Sequence, residues 1–236
     1  YAPLLQIYPN LEETDFDPND KSIAAQTRFP DDEVIVFGDP VLERMVRDYI
    51  KRSDGDITFA DAKNITELRL NIDYQQNPAA GSQITNIDAL KYFVNLEVLE
   101  LQFHNISDIS ALTGLVKLRA LGLGGNPIKD IMPIADMKNL DYLALFNCQA
   151  SDYSALKNLA NLRMLQIGWS SFADTSVLSG LTNLSDLDLA NSKVSDVTPL
   201  AGLSNLKSLK LEGCPITDYS PLKPIYANLT DKDFAL

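Results

Sequence analysis

One step governs this chain. A leucine recurs every 22 residues, at Leu96, Leu118, Leu140, Leu162, Leu184 and Leu206, with no slip of register. Further apolar residues keep fixed offsets from it. In the copy that starts at Leu184 they are Leu187 and Leu189 at the fourth and sixth positions, then Val194, Val197, Leu200 and Leu203. A strict period of this length marks a stack of like units, each burying its apolar face only against its neighbours.

The wording L-x-x-L-x-L-x-x-N/C-x-L is that of a leucine-rich repeat. Counting each copy from its first leucine, positions one, four and six point into the core. A strand of about four residues per copy joins a parallel sheet. Twenty-two residues leave little room for an α-helix on the return limb, so 3-10 turns are expected there. Pro133, Pro199 and Pro221 fit short turn starts and not helix interiors. The expected fold is an α/β repeat solenoid. It is a right-handed horseshoe with a parallel β-sheet on the concave face, 3-10 turns on the convex face and a helical N-terminal cap.

Four segments follow: an N-terminal arm or linker over 1–33, a helical cap over 34–64, the repeats over 65–218 and a closing segment over 219–236. Asp39-Pro40 starts a helix, with Asp at the N-cap and Pro in the first turn. Val41, Leu42, Met45, Val46, Tyr49 and Ile50 share one of its faces, which the first repeat needs as a cover. The helix is expected to end near Arg52. Residues 75–83, QQNPAAGSQ, are an insertion in the irregular first repeat and read as a loop. Residues 1–16 match 219–234 at nine positions. The match implies a longer polypeptide of tandem units, each closing on such a tail. A terminal arm that reuses the motif is the alternative.

The chain of 236 residues carries a net charge of −12. Fourteen of its acids fall within residues 1–62, and no basic stripe is evident. That balance argues against nucleic acid and anionic lipid as partners. No apolar run is long enough for membrane insertion. Cys148 and Cys214 both stand at position nine, three turns apart, or about 14 Å at the strand spacing. A disulfide needs Cα atoms within about 7 Å. Two free, buried thiols are expected, and a cysteine nucleophile is not.

Position thirteen is Asp in every copy, from Asp108 through Asp130, Asp152, Asp174 and Asp196 to Asp218. A single file of carboxylates does not wrap one calcium ion, which wants six to eight oxygens about a point. The expected role is to accept backbone N–H bonds at the following turn. His104, the sole histidine, stands at position nine with Asn126, Cys148, Ser170, Ser192 and Cys214, and is read as structural. No catalytic, cofactor or metal site is found. There is no nucleophile–base pair, no metal cluster and no phosphate loop.

Positions three, five, seven and eight face the inner surface or its rim. There the copies differ. Phe103, Tyr142, Phe146, Met164 and Trp169 surround a floor expected to be bare at Ala120, Gly122 and Gly124, and copy six turns acidic. Aromatic side chains give much binding energy per ordered group. The candidate partner-binding residues are therefore Glu100, Gln102, Phe103, Gly122, Tyr142, Phe146, Met164, Gln166, Trp169, Asp186 and Asp188. A competing expectation is that the rings fold over and fill the glycine hollow. Rings beside Asp and Gln also suit a sugar, so the partner is a protein or a glycan. A structural spacer in a tandem array is the further alternative.

Copies such as GNPIKDIMPIADMKNL and NSKVSDVTPLAGLSNL resemble the internalins, a family of bacterial surface proteins. The resemblance runs over roughly residues 34–225. It implies a non-enzymatic, extracellular or cell-surface protein that binds a host protein with its concave face, often through aromatic side chains.

Overall fold

The computed structural model describes residues 29–73 and 81–236. The echo motif at 1–16, and most of the insertion at 75–83, lie outside the described residues.

Each repeat contributes one three-residue strand: β1 (Glu67–Arg69), β2 (Val98–Glu100), β3 (Ala120–Gly122), β4 (Tyr142–Ala144), β5 (Met164–Gln166), β6 (Asp186–Asp188) and β7 (Ser208–Lys210). The short strand β8 (Asp231–Lys232) follows. They form one open parallel sheet in chain order, β1 to β8. The register follows the 22-residue step, with Leu99 beside Leu121, Leu121 beside Leu143 and Leu143 beside Leu165. Consecutive parallel neighbours arise because every return limb is the same short crossover. Those limbs are 3-10 turns, such as Ser110–Leu112, Met132–Ile134 and Thr198–Gly202. The fold is the leucine-rich repeat solenoid expected from the spacing.

The core is one continuous column. Leu96, Leu99, Leu101, Ile106, Ile109 and Leu112 of one copy are fully buried, and so are their counterparts in the next. Each leucine packs on the same residue one turn away, so the apolar area removed from water grows with repeat number.

The cap helix Pro40–Ile50 closes the first turn, burying Val41, Leu42 and Val46. It stops two residues short of Arg52 because Lys51 takes a left-handed φ of 57° and bonds back to Arg47 and Asp48. Tyr49, expected on the core face, is 41% exposed. Asp39 joins this helix to the repeats. Its Oδ1 accepts the N–H groups of Val41 and Leu42, and its Oδ2 those of Thr85 and Asn86 and the Thr85 hydroxyl. Burial works against the Asp39 charge, but these bonds outweigh it and hold the carboxyl below its usual range.

At the other end Leu222, Ile225 and Leu229 are buried, and Tyr219 stacks on Phe234 at 5.1 Å. Strand β8 then pairs with β7. These residues are among those that the N-terminal echo repeats.

The remaining columns resolve into backbone service. All six ladder aspartates accept the N–H two residues on, at 2.8–3.0 Å. That bond, followed by one from the same residue's hydroxyl, holds Asp108, Asp152 and Asp218 below the ordinary carboxylate range; for Asp174 and Asp196 the hydroxyl contributes most and the N–H next. At position nine, Asn126 accepts from Ile106 N and donates to the carbonyls of Leu101 and Leu123. His104 does the same work: Nδ1 accepts from Ile84 N at 3.1 Å and Nε2 donates to the Leu70 carbonyl at 2.6 Å. Burial pushes its pKa down. Cys148 is buried and its thiol is pushed up to about 12 by desolvation. Cys214 differs from the expectation: it is free but only half-buried, in the last regular copy where fewer turns cover it.

Candidate functional site

The concave face carries side chains from strand positions three and five, and the rim beyond the strands carries positions seven and eight. Glu100, Gln102, Phe103, Tyr142, Phe146, Gln166, Asp186 and Asp188 are half-buried there, while Met164 is 37% and Trp169 65% exposed. Tyr142 donates its hydroxyl to Gln166 Oε1 at 3.3 Å, and burial raises its phenol pKa. Glu100 is occupied by Arg69 and Asn71 on the neighbouring turn.

The expected bare floor is not open. A Cβ at Gly124 would lie 2.3 Å from the Phe146 ring, and one at Gly125 would lie 2.6 Å from the Phe103 ring. One at Gly122 would meet Gln102 Nε2 at 2.8 Å. Gly122 and Gly124 are buried, so Gly122 is a seat for Gln102 and not itself a contact surface. Gly124 and Gly125 leave room for the rings of Phe146 and Phe103 where a Cβ would collide. Phe103 and Phe146 pack together across the seat, with centroids 5.5 Å apart.

The rings leave a different hollow, displaced toward the rim. It has a volume of about 310 Å³ and is lined by Phe103, Phe146, Asn147 and Trp169. That is within the size range of ligand-binding clefts.

Position eight explains how the hollow is made. In all six copies this residue takes a positive φ: Phe103 (64°), Gly125 (73°), Asn147 (56°), Trp169 (54°), Asn191 (57°) and Gly213 (73°). The bend turns the chain off the strand and aims the side chain over the rim. Inter-repeat rungs hold it in place. Phe103 N donates to the Gly124 carbonyl, Asn147 N to Gly168 and Trp169 N to Ala190, at 2.8–3.0 Å. Glycine adopts this conformation freely and asparagine tolerates it. A bulky aromatic residue there is an outlier, costing about 1–2 kcal/mol. Phe103 and Trp169 are therefore strained positions, and both line the hollow.

The sequence carries this signal. Position eight runs Phe, Gly, Asn, Trp, Asn, Gly, and four of those six are the residues that left-handed backbone favours. Asn147, at a rim position of its copy, is a wall residue outside the candidate set. A second column also lies outside that set. Asn139, Asn161, Asn183 and Asn205, each immediately before its copy's first leucine, donate to a carbonyl of the preceding repeat at 2.8–2.9 Å. Among the described residues no group of three or more His, Cys, Asp or Glu is placed to hold a metal ion. No helix there is long and apolar enough to cross a membrane.

A family model for leucine-rich repeats, two copies, matches residues 182–224. No curated protein sequence matches the chain. Among solved structures, the chain is similar to internalin InlF of Listeria monocytogenes, with 33% identity and a TM-score of 0.78 over 87% of this chain. It spans 58% of that InlF chain. It is similar to internalin C2 of the same species, with 29% identity and a TM-score of 0.67, covering 88% of this chain and 99% of that one. A leucine-rich repeat protein of Leptospira interrogans shares the fold at 20% identity and a TM-score of 0.58, over 73% of this chain and 49% of its own.

Proposed function

Taking as premise that this chain is an internalin-like leucine-rich repeat protein, a class of protein-interaction module, we propose that it is the non-enzymatic binding domain of a secreted or surface-displayed bacterial protein. It recognises a protein partner through the concave face of its sheet and the adjoining rim. One observation carries the reading. Phe103 and Trp169 occupy left-handed backbone that glycine or asparagine fills in the other copies. Strain of this kind persists where a side chain's position is worth more than its stability.

Trp169, 65% exposed on that bend, contributes little to the core. A pure spacer has no use for a strained, exposed tryptophan, so the strain argues against the spacer reading. An apolar ring exposed beside two phenylalanines is how a partner's anchor residue is received.

The test is capture of surface proteins by the immobilised chain, with a Tyr142→Ala, Phe146→Ala, Trp169→Ala variant alongside. A protein retained by the wild type and lost by the variant supports the reading. Equal capture by both refutes it. A glycan array run on the same pair separates a sugar ligand from a protein one.

A further inference from the structure

The charge on the concave face is uneven. Strands β3, β4 and β5 carry no charged residue: their concave-side positions are Ala120, Gly122, Tyr142, Ala144, Met164 and Gln166. Next to them, β6 presents Asp186 and Asp188. These two carboxylates line a second hollow of about 190 Å³, with Met164, Gln166, Ser208 and Lys210. Asp186 Oδ2 takes the Ser185 hydroxyl at 2.5 Å, and Asp188 Oδ1 takes the Ala190 N–H at 2.9 Å. Among the described residues the other oxygen of each carboxylate takes no hydrogen bond. The one cation in the wall, Lys210, is already held by Asp231. Glu212 and Asp233 extend the same sign along the face, so the hollow is negative even with Lys210 counted.

Resting on the binding face proposed above, we infer that the partner meets it with a basic segment. An apolar or aromatic side chain sits in the hollow between Phe146 and Trp169, and an Arg or Lys enters the hollow at Asp186 and Asp188. Charge complementarity selects the cation. Two carboxylates two residues apart on one strand present the paired acceptors that a guanidinium fork engages, which favours Arg. The exposed Met164 gives its stem an apolar wall. The spacing is fixed by the copy that joins the hollows. Trp169 lies four residues along the chain from the centre of β5, at most about 13 Å. An extended partner segment spans that in three to five residues.

The chain contains a single tryptophan, so its fluorescence reports this site alone. The experiment pans a phage-displayed dodecapeptide library on the intact chain. Synthetic enriched peptides are then titrated against wild type, an Asp186→Asn, Asp188→Asn variant and Trp169→Ala. Emission reads binding for the first two proteins and calorimetry for all three. The expected consensus pairs an apolar or aromatic residue with Arg or Lys three to five positions away. Binding should weaken about tenfold in the double Asn variant, as for loss of one charged hydrogen-bonded pair. It should also weaken in the wild type as salt rises. Peptides that shift Trp169 emission but bind the double Asn variant equally well, independent of salt, overturn the basic-segment inference and leave the binding face standing. A selection that yields no Trp169-dependent binder overturns both.

Discussion

If position eight is strained by its aromatic residues, the usual order of Ala and Gly must invert there. At an ordinary strand or helix position Ala is more stable than Gly by about 0.5–1 kcal/mol, because Gly loses more backbone freedom on folding. At a φ of 54° or 64° an L side chain costs about 1–2 kcal/mol and Gly nothing. The difference leaves Trp169→Gly about 0.5–1 kcal/mol more stable than Trp169→Ala, and Phe103→Gly likewise above Phe103→Ala. Both members of each pair lose the same ring, so lost packing cancels and the comparison isolates the backbone. For a protein of this size 1 kcal/mol moves Tm by about 2–4 °C, within reach of calorimetry. Tyr142, in the middle of the concave sheet, is the control: there Ala should beat Gly. Partner capture should fall equally in Ala and Gly variants at Trp169. If Trp169→Ala equals or exceeds Trp169→Gly in Tm, the bend is not strained and the argument that carries the proposed function fails.

Three further outcomes follow from the columns. Asp39→Ala removes five hydrogen bonds, two that cap the helix at Val41 and Leu42 and three that tie it to Thr85 and Asn86. It should cost about 2–4 kcal/mol, with residues 40–50 and 84–86 losing hydrogen-exchange protection together. His104 has its pKa lowered by burial, so the unfolded chain binds the proton first. Its contribution is intact above about pH 6.5 and is lost as pH falls from there toward the folded pKa, at no more than about 1.4 kcal/mol per pH unit. Urea midpoints between pH 8 and pH 5 should fall for the wild type, and His104→Asn, copying Asn126, should flatten that slope. The Cys148 thiol, pushed up to about 12 by burial, should resist a disulfide reagent in the native protein while Cys214 reacts, and denaturant should release both.

The fold was legible because identical copies over-determine it. A leucine at position one, four or six has one place to go, and the 22-residue step passes directly into strand register. The Asp and Asn/Cys columns were legible for a related reason: the backbone makes the same demand in each copy, and few side chains meet it. What failed to be legible depends on the third dimension within a copy. Tyr49 satisfies helical spacing for the core face, yet lies at the edge of what the first repeat covers. Cys214 satisfies its column, yet stands where the stack is running out.

The site shows the sharper limit. The expected contacts came from alternation along a strand, and alternation places Tyr142, Met164, Gln166, Asp186 and Asp188 on the concave side as expected. It says nothing past the strand's end, where the chain bends left-handed. There the glycine floor is a seat for Phe103 and Phe146, and the open space moves to the rim beside Asn147 and Trp169. The two constraints meet at position eight. Its backbone is as fixed as any core column, held by a rung to the next repeat, while its side chain lies outside the leucine core. A column with a rigid backbone whose side chain is not dictated by core packing can carry a large ring from a fixed point, so less backbone entropy is lost on binding. That makes position eight a better place for a binding anchor than the strand positions themselves. It also means that replacing Asn147 by an aromatic residue, which places a third ring on the same bend, should enlarge the anchor at the cost of one more strained residue. Lower Tm together with tighter partner capture in Asn147→Phe is the result that the reasoning requires.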